Sequence, residues 1–589
     1  VRLQGAQVAI LYGKQQKASM APLQLNILLK GNERTIRMSK NLKIIPLGGL
    51  GEIGKNMTIL EYGRNQIIVD CGVMFPDSEM YGIDLVLPQF DYILENQDIL
   101  RGIVLTHGHQ DHIGGLPYLL KRLDVPEEGV PVYGTALTIG MVKHKLEEMG
   151  VREHANLQVF DDQQTLHLGP FRISPYAVAH SIPAAVGLVI DTPVGAIVHT
   201  GDYKMDETPT GGRTTDIKRL RQLTPKGVLA MLGDSTNADQ PGRTPTEQLV
   251  ADSLDELFAE ADGQRIIIAT FSSLLARLQE IMRLARKYGR KVALTGRSLQ
   301  QNVELANDLG YLQIPKGLLV DIRSNVPDDQ LVILSTGSQG EPRSALNRMA
   351  QGKHSQIQVH AGDTIIISGG TIPGNEEDVS RMLNHLFARG ANVIYGPLAT
   401  VHVSGHGNRE DMRIMLDAVK PRYLIPVHGE LRHLHLHARL AMQNGKQAAD
   451  IFILQNGVSW VTDGEKAWLG ETVPASDVYV DGLLVGEIGE QVVREREQLS
   501  QDGFLVVNVP VDRQHKLAGD LRILSRGFSN MDVSGGLMEA VQAEVKRDLQ
   551  RSGRGNNHDH GQTIQETLQN FFYRKTQSRP VILPNIVNV

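Results

Sequence analysis

The chain has almost no cysteine, no long apolar run and little net charge. Its one cysteine, Cys71, rules out an internal disulfide and fits a reducing cytosol. No apolar stretch approaches the ~20 residues that a membrane-crossing helix needs, so no membrane partner is expected. Residues 1–37 hold no apolar core followed by a cleavage site, which excludes a secretory signal. Their patterning is weak, and they read as a poorly ordered extension ahead of a start at Met38-Ser39-Lys40. A formal charge of −6 does not mark a nucleic-acid binder. It does not exclude one, because bound metals and a local group of Arg and Lys can hold a phosphate backbone.

What the chain does have is length and a dense histidine motif. At 589 residues it is too long for one core, and about three or four domains are expected. The motif is Thr106-His107-Gly108-His109-Gln110-Asp111-His112-Ile113-Gly114-Gly115, directly after the apolar run Ile103-Val104-Leu105. A short apolar run bounded by glycine and polar residues reads as a buried strand that spills into a loop. Leu116, Leu119, Leu120 and Leu123 then recur at helical spacing. Neutral imidazoles and a carboxylate in one tight loop suit divalent zinc or manganese. A surface loop that merely happens to be polar is the weaker explanation for His-x-His-x-Asp-His.

Other strands end in residues of the same type. Met57–Tyr62 and Gln66–Val69 read as a hairpin that delivers Asp70, a carboxylate able to orient a ligand from behind. Ala177-Val178-Ala179 leads to His180, and Ala196–Thr200 leads to Gly201-Asp202. The loop Gly48-Gly49-Leu50-Gly51-Glu52-Ile53-Gly54 lacks the ending of a P-loop and the spacing of a dinucleotide fingerprint, so it reads as a tight turn lining a site.

From about 228 the pattern becomes strand, polar loop, helix, repeated, beginning with Val228–Leu232 and Gly233-Asp234-Ser235-Thr236. Continuous apolar strands alternating with helices indicate a parallel α/β sheet covered on both faces, with ligand loops at the carboxyl ends of its strands. Val401-His402-Val403-Ser404-Gly405-His406-Gly407-Asn408 then enters a helix, Asn408 and Asp411 resembling a capping box. That placement predicts an anion-binding helix N-terminus at 404–406. Tyr423–Pro426 is a strand ending at Val427-His428. His433, His435 and His437 are spaced by two around a helix and cannot share one metal. A linker is expected around Val473-Pro474-Ala475. Beyond it lie β-like runs at Val478–Val480 and Phe504–Val509, helices near 536–549 and 562–573, a mobile polar stretch at Arg551–His560, and an apolar end at Arg579–Pro584 that pairs or packs. No repeat of domain size is present.

Taken in order from about residue 40 to the end, these motifs resemble bacterial ribonuclease J, a β-CASP family of the metallo-β-lactamase superfamily. The resemblance rests on Gly48–Gly54, Asp70, His107–His112, His180, Asp202, Asp234-Ser235-Thr236-Asn237, Thr336–Glu341, His402–His406, His428 and the closing Arg-Pro-x-Ile-Leu-Pro. Gln110, Gly233 and the 1–37 extension depart from the pattern without touching a ligand.

The fold it implies is α/β: a metallo-β-lactamase αββα sandwich at 38–245 and 396–462, an inserted parallel α/β β-CASP domain at 246–395, a linker at 463–476, and a small α+β C-terminal domain at 477–589 that dimerises. It also implies two divalent metal ions, zinc first, with manganese or magnesium as alternatives. His107, His109 and His180 would hold one, Asp111, His112 and His428 the other, and Asp202 would bridge them. Asp234 and His406 would order the catalytic step with Asp70 behind them, and the segment His402, Val403, Ser404, Gly405, His406 would grip a phosphate. The implied activity is cytoplasmic RNA cleavage from a 5′-monophosphate end and internally, in ribosomal RNA maturation and messenger RNA turnover. The implied assembly is a homodimer or dimer of dimers, with a place in an RNA-degradation complex. A nuclease acting on DNA and a small-molecule metallohydrolase are the alternatives. The α/β insertion speaks against the second. A non-catalytic RNA-binding scaffold would be expected to have lost ligands, and here all are present.

Overall fold

The computed structural model describes residues 41–77, 79–372, 374–513, 516–528, 535–552 and 560–589. The 1–37 extension and most of the polar stretch at 551–560 lie outside them. Two sheets form the centre. One has eight strands, ordered Ala467–Thr472, Val458–Thr462, Leu42–Gly48, Met57–Tyr62, Gln66–Val69, Leu100–Val104, Val130–Gly134 and Ala155–Val159. The other has six, ordered Tyr423–Val427, Ala230–Asp234, Gly195–His199, Val186–Thr192, Phe171–Ala177 and Leu166–Leu168. Leu42, Ile44, Leu60 and Ile67 of the first share one buried cluster with Ile173, Leu188, Ile190 and Ile425 of the second. The inner faces therefore pack on each other, giving the sandwich the resemblance implies.

The hairpin expected at Met57–Val69 forms, pairing Thr58 with Val69 through Glu61 with Gln66. Its partner beyond is parallel, Ile68 against Ile103 and Val69 against Val104. Asp70 and the histidine loop thus leave adjacent strands at the same end of the sheet. The same device works in the other sheet, where Ala230–Asp234 lies parallel between Gly195–His199 and Tyr423–Val427. Asp202, Asp234 and His428 follow or end these three strands, so a parallel register brings together residues far apart in sequence.

The apolar pattern alone reads Val228–Leu232 as the start of the α/β repeat, whereas the bounds implied by the resemblance keep it in the sandwich, where the strand Ala230–Asp234 lies. Its apolar run is like those that follow, and nothing in such a run encodes which sheet takes it. The inserted sheet has six parallel strands, ordered Leu319–Val320, Lys291–Thr295, Leu331–Ser335, Ile266–Thr270, Thr364–Ser368 and Asn392–Ile394. Every residue of Ile266–Thr270, Leu331–Ser335 and Thr364–Ser368 is buried, as helices on both faces require. Leu275–Lys287 is one of these helices, burying Leu278, Ile281 and Leu284.

Two expectations near the C-terminus are corrected. Residues 463–476 are not a plain linker, because Ala467–Thr472 is the edge strand of the eight-stranded sheet, paired with Val458–Thr462. It is mostly exposed, so it carries little apolar pattern to announce it. Val478–Asp481 does not join the C-terminal sheet either, since it pairs antiparallel with Leu85–Leu87 of the sandwich region. The C-terminal sheet itself is Arg522–Arg526, Phe504–Val511 and Val581–Asn588, with the expected apolar end lying parallel along Phe504–Val511. Leu505, Val507 and Val509 alternate inward against Val541, Val545, Ile564, Leu568 and Phe572 of the helices Gly535–Ser552 and His560–Thr576. Among the described residues no helix is long and apolar enough to cross a membrane.

Candidate metal centre

Of the seven ligand-type residues named from the sequence, six gather around the carboxylate of the seventh, Asp202. His107, His109, His180 and Asp202 form one group whose donor atoms lie within 4.8 Å of one another, and Asp111, His112, Asp202 and His428 form a second. Asp202 Oδ2 is 3.1 Å from His112 Nε2, 3.5 Å from His428 Nε2, 3.6 Å from His107 Nε2 and 3.8 Å from His180 Nε2. Asp202 is buried, as are His107, His112 and His428. So many donors around one buried carboxylate need a reason, because buried polar groups without partners are costly.

The outward-facing nitrogen of most of these rings is held by the protein. His112 Nδ1 lies 2.8 Å from Asp70 Oδ2, and Asp70 also accepts from the Thr106 amide and hydroxyl, each at 2.8 Å. Asp70 takes φ 61° to do this, at the turn leaving its strand. His107 Nδ1 is 3.0 Å from Thr106 Oγ1, and His428 Nδ1 is 2.6 Å from Thr236 Oγ1. His180 Nδ1 donates to the Gly405 carbonyl at 2.9 Å. With Nδ1 engaged, each ring turns Nε2 inward, the orientation that partners behind a metal ligand impose.

Burial dominates the titration of the first group, holding His107 and His180 well below the usual histidine range and His109 down at about 4. In the second group burial also lowers the rings, but Asp202 and Asp111 outweigh it, placing His112 well above its usual value and His428 at about 9. Burial would raise Asp202, yet His112, His428 and His107 hold it well below the carboxylate range. The centre therefore offers ionised carboxylates, with neutral imidazoles on one side. His109 Nδ1 faces His107 Nε2 at 3.0 Å and His180 Nε2 at 3.1 Å, and three neutral rings cannot all donate to one another. A cation placed among these lone pairs resolves the crowding, so the donor set fits a divalent metal.

The remaining site residues divide. His406 Nδ1 is 2.8 Å from Asp234 Oδ2, and its Nε2 is 4.0 Å from Asp202. Burial would lower His406, but Asp234 raises it above the ordinary value. His402 turns away to Arg277, its Nδ1 2.9 Å from the guanidinium, and burial with that cation lowers it to about 3. Val403 is buried in the core, so only its backbone is available to a ligand. Ser404 Oγ accepts from the His406 amide at 3.1 Å and from Asn237 Nδ2 at 2.9 Å.

The helix Arg409–Val419 has its capping box, but its N-terminus is not the anion site expected. The amides of Gly407, Asn408, Arg409 and Glu410 are taken by Tyr203, Thr244, Gln240 and Gly242 of neighbouring segments. A phosphate here would be met by side chains rather than by this helix end.

Sequence reasoning missed Asn56, whose Nδ2 is 3.1 Å from His112 Nε2 and 3.3 Å from Asp111 Oδ2. A lone asparagine before a strand carries no signal. It also assigned no role to Thr106 and Thr236, though both stood inside quoted motifs. His433 and His437 are buried and His435 is exposed, and none joins the centre. Beside His180 opens a cavity of about 410 Å³, with Lys204, Arg213 and Arg277 on its wall together with Phe160 and Tyr311.

The chain matches four family descriptions. Residues 50–229 match the metallo-beta-lactamase superfamily, and 263–386 match "Ribonuclease J, beta-CASP domain". Residues 391–454 match "Zn-dependent metallo-hydrolase RNA specificity domain", and 491–589 match "Ribonuclease J C-terminal domain". Among curated relatives, Ribonuclease J2 of Bacillus subtilis is 38% identical over 557 residues, 94% of this chain and 99% of its own. Ribonuclease J 1 of Streptococcus pyogenes is 39% identical, covering 95% of this chain and 99% of the relative. Ribonuclease J of Thermus thermophilus is 38% identical, covering 93% and 95%.

Gly405 provides a direct check on the centre. A Cβ there would lie 2.8 Å from His180 Cε1 and 2.9 Å from Nδ1. Gly405→Ala should push the His180 ring out of place, lowering metal affinity by about 10-fold or more while leaving the fold intact. Chelator competition alongside circular dichroism reads both, and unchanged affinity would show that this contact does not orient the ring.

Proposed function

The chain belongs to the ribonuclease J family of metal-dependent ribonucleases, and on that premise we propose that it hydrolyses RNA phosphodiesters at the centre around Asp202, from a 5′-monophosphate end and internally. The observation that carries the reading is the sharing of Asp202 between two complete donor sets, with His406 and Asp234 adjoining both. His107, His109 and His180 would hold one ion, Asp111, His112 and His428 the other, and zinc suits the nitrogen-rich sets best. Divalent ions held by these residues would supply an activated water at neutral pH and offset the charge of the phosphate.

The chain's own residues supply orientation and a proton. Asp70 and Thr106 fix the His112 and His107 rings from behind. Asp234 accepts from Nδ1 of His406 and favours its protonated form, leaving Nε2–H to face the reacting phosphate. From there it stabilises charge on the phosphate or protonates the leaving oxygen, a role worth on the order of 10²–10⁴-fold in rate. The matches to an RNA specificity domain and to a ribonuclease J beta-CASP domain support a polynucleotide substrate over a small molecule. The cations on the wall of the cavity beside His180 are already paired, Lys204 with Asp206, Arg277 with Glu247 and Arg213 with Asp162. In this reading residues 246–395 supply one wall of the RNA path, and the setting is cytoplasmic. A homodimer would form through the C-terminal sheet, whose outer face leaves Leu524, Leu583 and Val587 exposed.

Purified protein with zinc or manganese should degrade 5′-monophosphate RNA faster than 5′-triphosphate or 5′-hydroxyl RNA, and should spare matched DNA. Equal rates on DNA, or no cleavage at all, would contradict the assignment. His406→Ala should keep metals and RNA binding yet turn over about 10²–10⁴-fold more slowly. By contrast, His428→Ala should weaken one ion and be partly rescued by excess metal. If His406→Ala is the variant rescued by metal, the two roles are exchanged. In sedimentation analysis Leu583→Glu should shift a dimer to monomer, and an unshifted dimer would place the interface elsewhere.

A further inference from the structure

The turn before the second strand of the eight-stranded sheet holds a fully buried lysine. Lys55 is 1% exposed and takes φ 49°, and its ammonium lies between Glu52, 3.1 Å away, and Asp477. A buried ammonium must be paired. Glu52 is itself engaged, its Oε1 accepting from the Gly49 amide and from Asn456 Nδ2. Asp477 comes from a remote part of the chain, 422 residues on, where the backbone leaves the sandwich sheet for the strand Val478–Asp481.

The next residue after Lys55 is Asn56, and its contacts point into the metal centre. Its amide N donates to the Asp111 carbonyl at 2.9 Å, and its side-chain Nδ2 donates to the same carbonyl at 3.1 Å. That Nδ2 also lies 3.3 Å from Asp111 Oδ2 and 3.1 Å from His112 Nε2. The other side of the side-chain amide is seated on Gly49, where any Cβ would overlap Oδ1. Asp111 needs such help, since its side chain is 28% exposed while the neighbouring ligands His112 and Asp202 are buried.

We propose that Asn56 is the positioning residue for the Asp111–His112 side of the centre, and that the Lys55–Asp477 pair holds Asn56 in register. The segment leading to the C-terminal domain is thereby a condition of full metal affinity at one ion and not the other. The contacts run from Asp477 to Lys55, along one peptide to Asn56, and on to the Asp111 carbonyl, next to His112 in the same turn, while the Asn56 contact to His112 Nε2 gives way when that nitrogen takes a metal. On the other side of the centre His107 is held by Thr106 and His180 by the Gly405 carbonyl, contacts separate from this turn.

The proposal rests on the two-ion reading, and the test separates the two. Chelator competition with zinc on the full chain gives two successive dissociation constants. In Asp477→Asn one of them should rise about 10-fold, as for removal of partners behind a ligand, while the other stays within about twofold. Asp477→Glu, which keeps the charge, should restore it. Asn56→Ala leaves the buried pair intact and should raise the same constant. In that background Asp477→Asn should add less than about twofold, because both act through one contact. An unchanged constant in Asn56→Ala overturns the proposal whether or not Asp477→Asn folds. So does an equal rise of both constants, or a full and independent effect of Asp477→Asn on top of Asn56→Ala. Wild-type protein that takes up no zinc overturns the two-ion reading and this proposal together. Two ions in the wild type with both variants unchanged overturns this proposal alone.

Discussion

The structure is organised around the negative charge of one buried carboxylate. Asp202 is 3% exposed and faces the inner nitrogens of His107, His112, His180 and His428. A lone buried carboxylate would be forced neutral, and rings packed this closely would repel once protonated. Each is tolerable only because the others are present and because a cation can sit among them. The outer contacts, from Asp70 to Thr236, serve to keep the rings aimed at that point.

The sheets explain how distant residues reach it. Asp70 and the 107–112 loop leave neighbouring parallel strands, while Asp202, Asp234 and His428 come from three neighbouring parallel strands of the facing sheet. The inserted domain starts after one of these strands and returns before another, so it enters and leaves beside the centre. Its Arg277 reaches back to His402, and with Lys204 of the sandwich it lines the cavity next to His180. The cavity and the cluster of metal-type ligands therefore share a border at His180.

Much of this was legible in the sequence because metal ligands are constrained in type and position. A histidine at a strand end after an apolar run is conspicuous, and His107, His180 and His428 all have that form. Asn56 was not legible, since its role depends on a turn geometry set by Gly49 and Lys55. The 404–408 segment misled for a related reason. A capping box locates a helix N-terminus, but only the tertiary structure shows that Tyr203, Thr244, Gln240 and Gly242 already occupy its amides. Ala467–Thr472 was read as linker because an exposed edge strand has no apolar face to display. Val478–Val480 was placed with the C-terminal domain because strand pairing, here with Leu85–Leu87, is a long-range property that the run itself does not display.

The central claim is that Asp202 is shared by two metal positions. Anomalous diffraction at the zinc edge from crystals grown with zinc tests it most directly. The account predicts two peaks flanking the Asp202 carboxylate, one among His107, His109 and His180 and the other among Asp111, His112 and His428. A single peak, or a pair in which Asp202 touches neither ion, would contradict it.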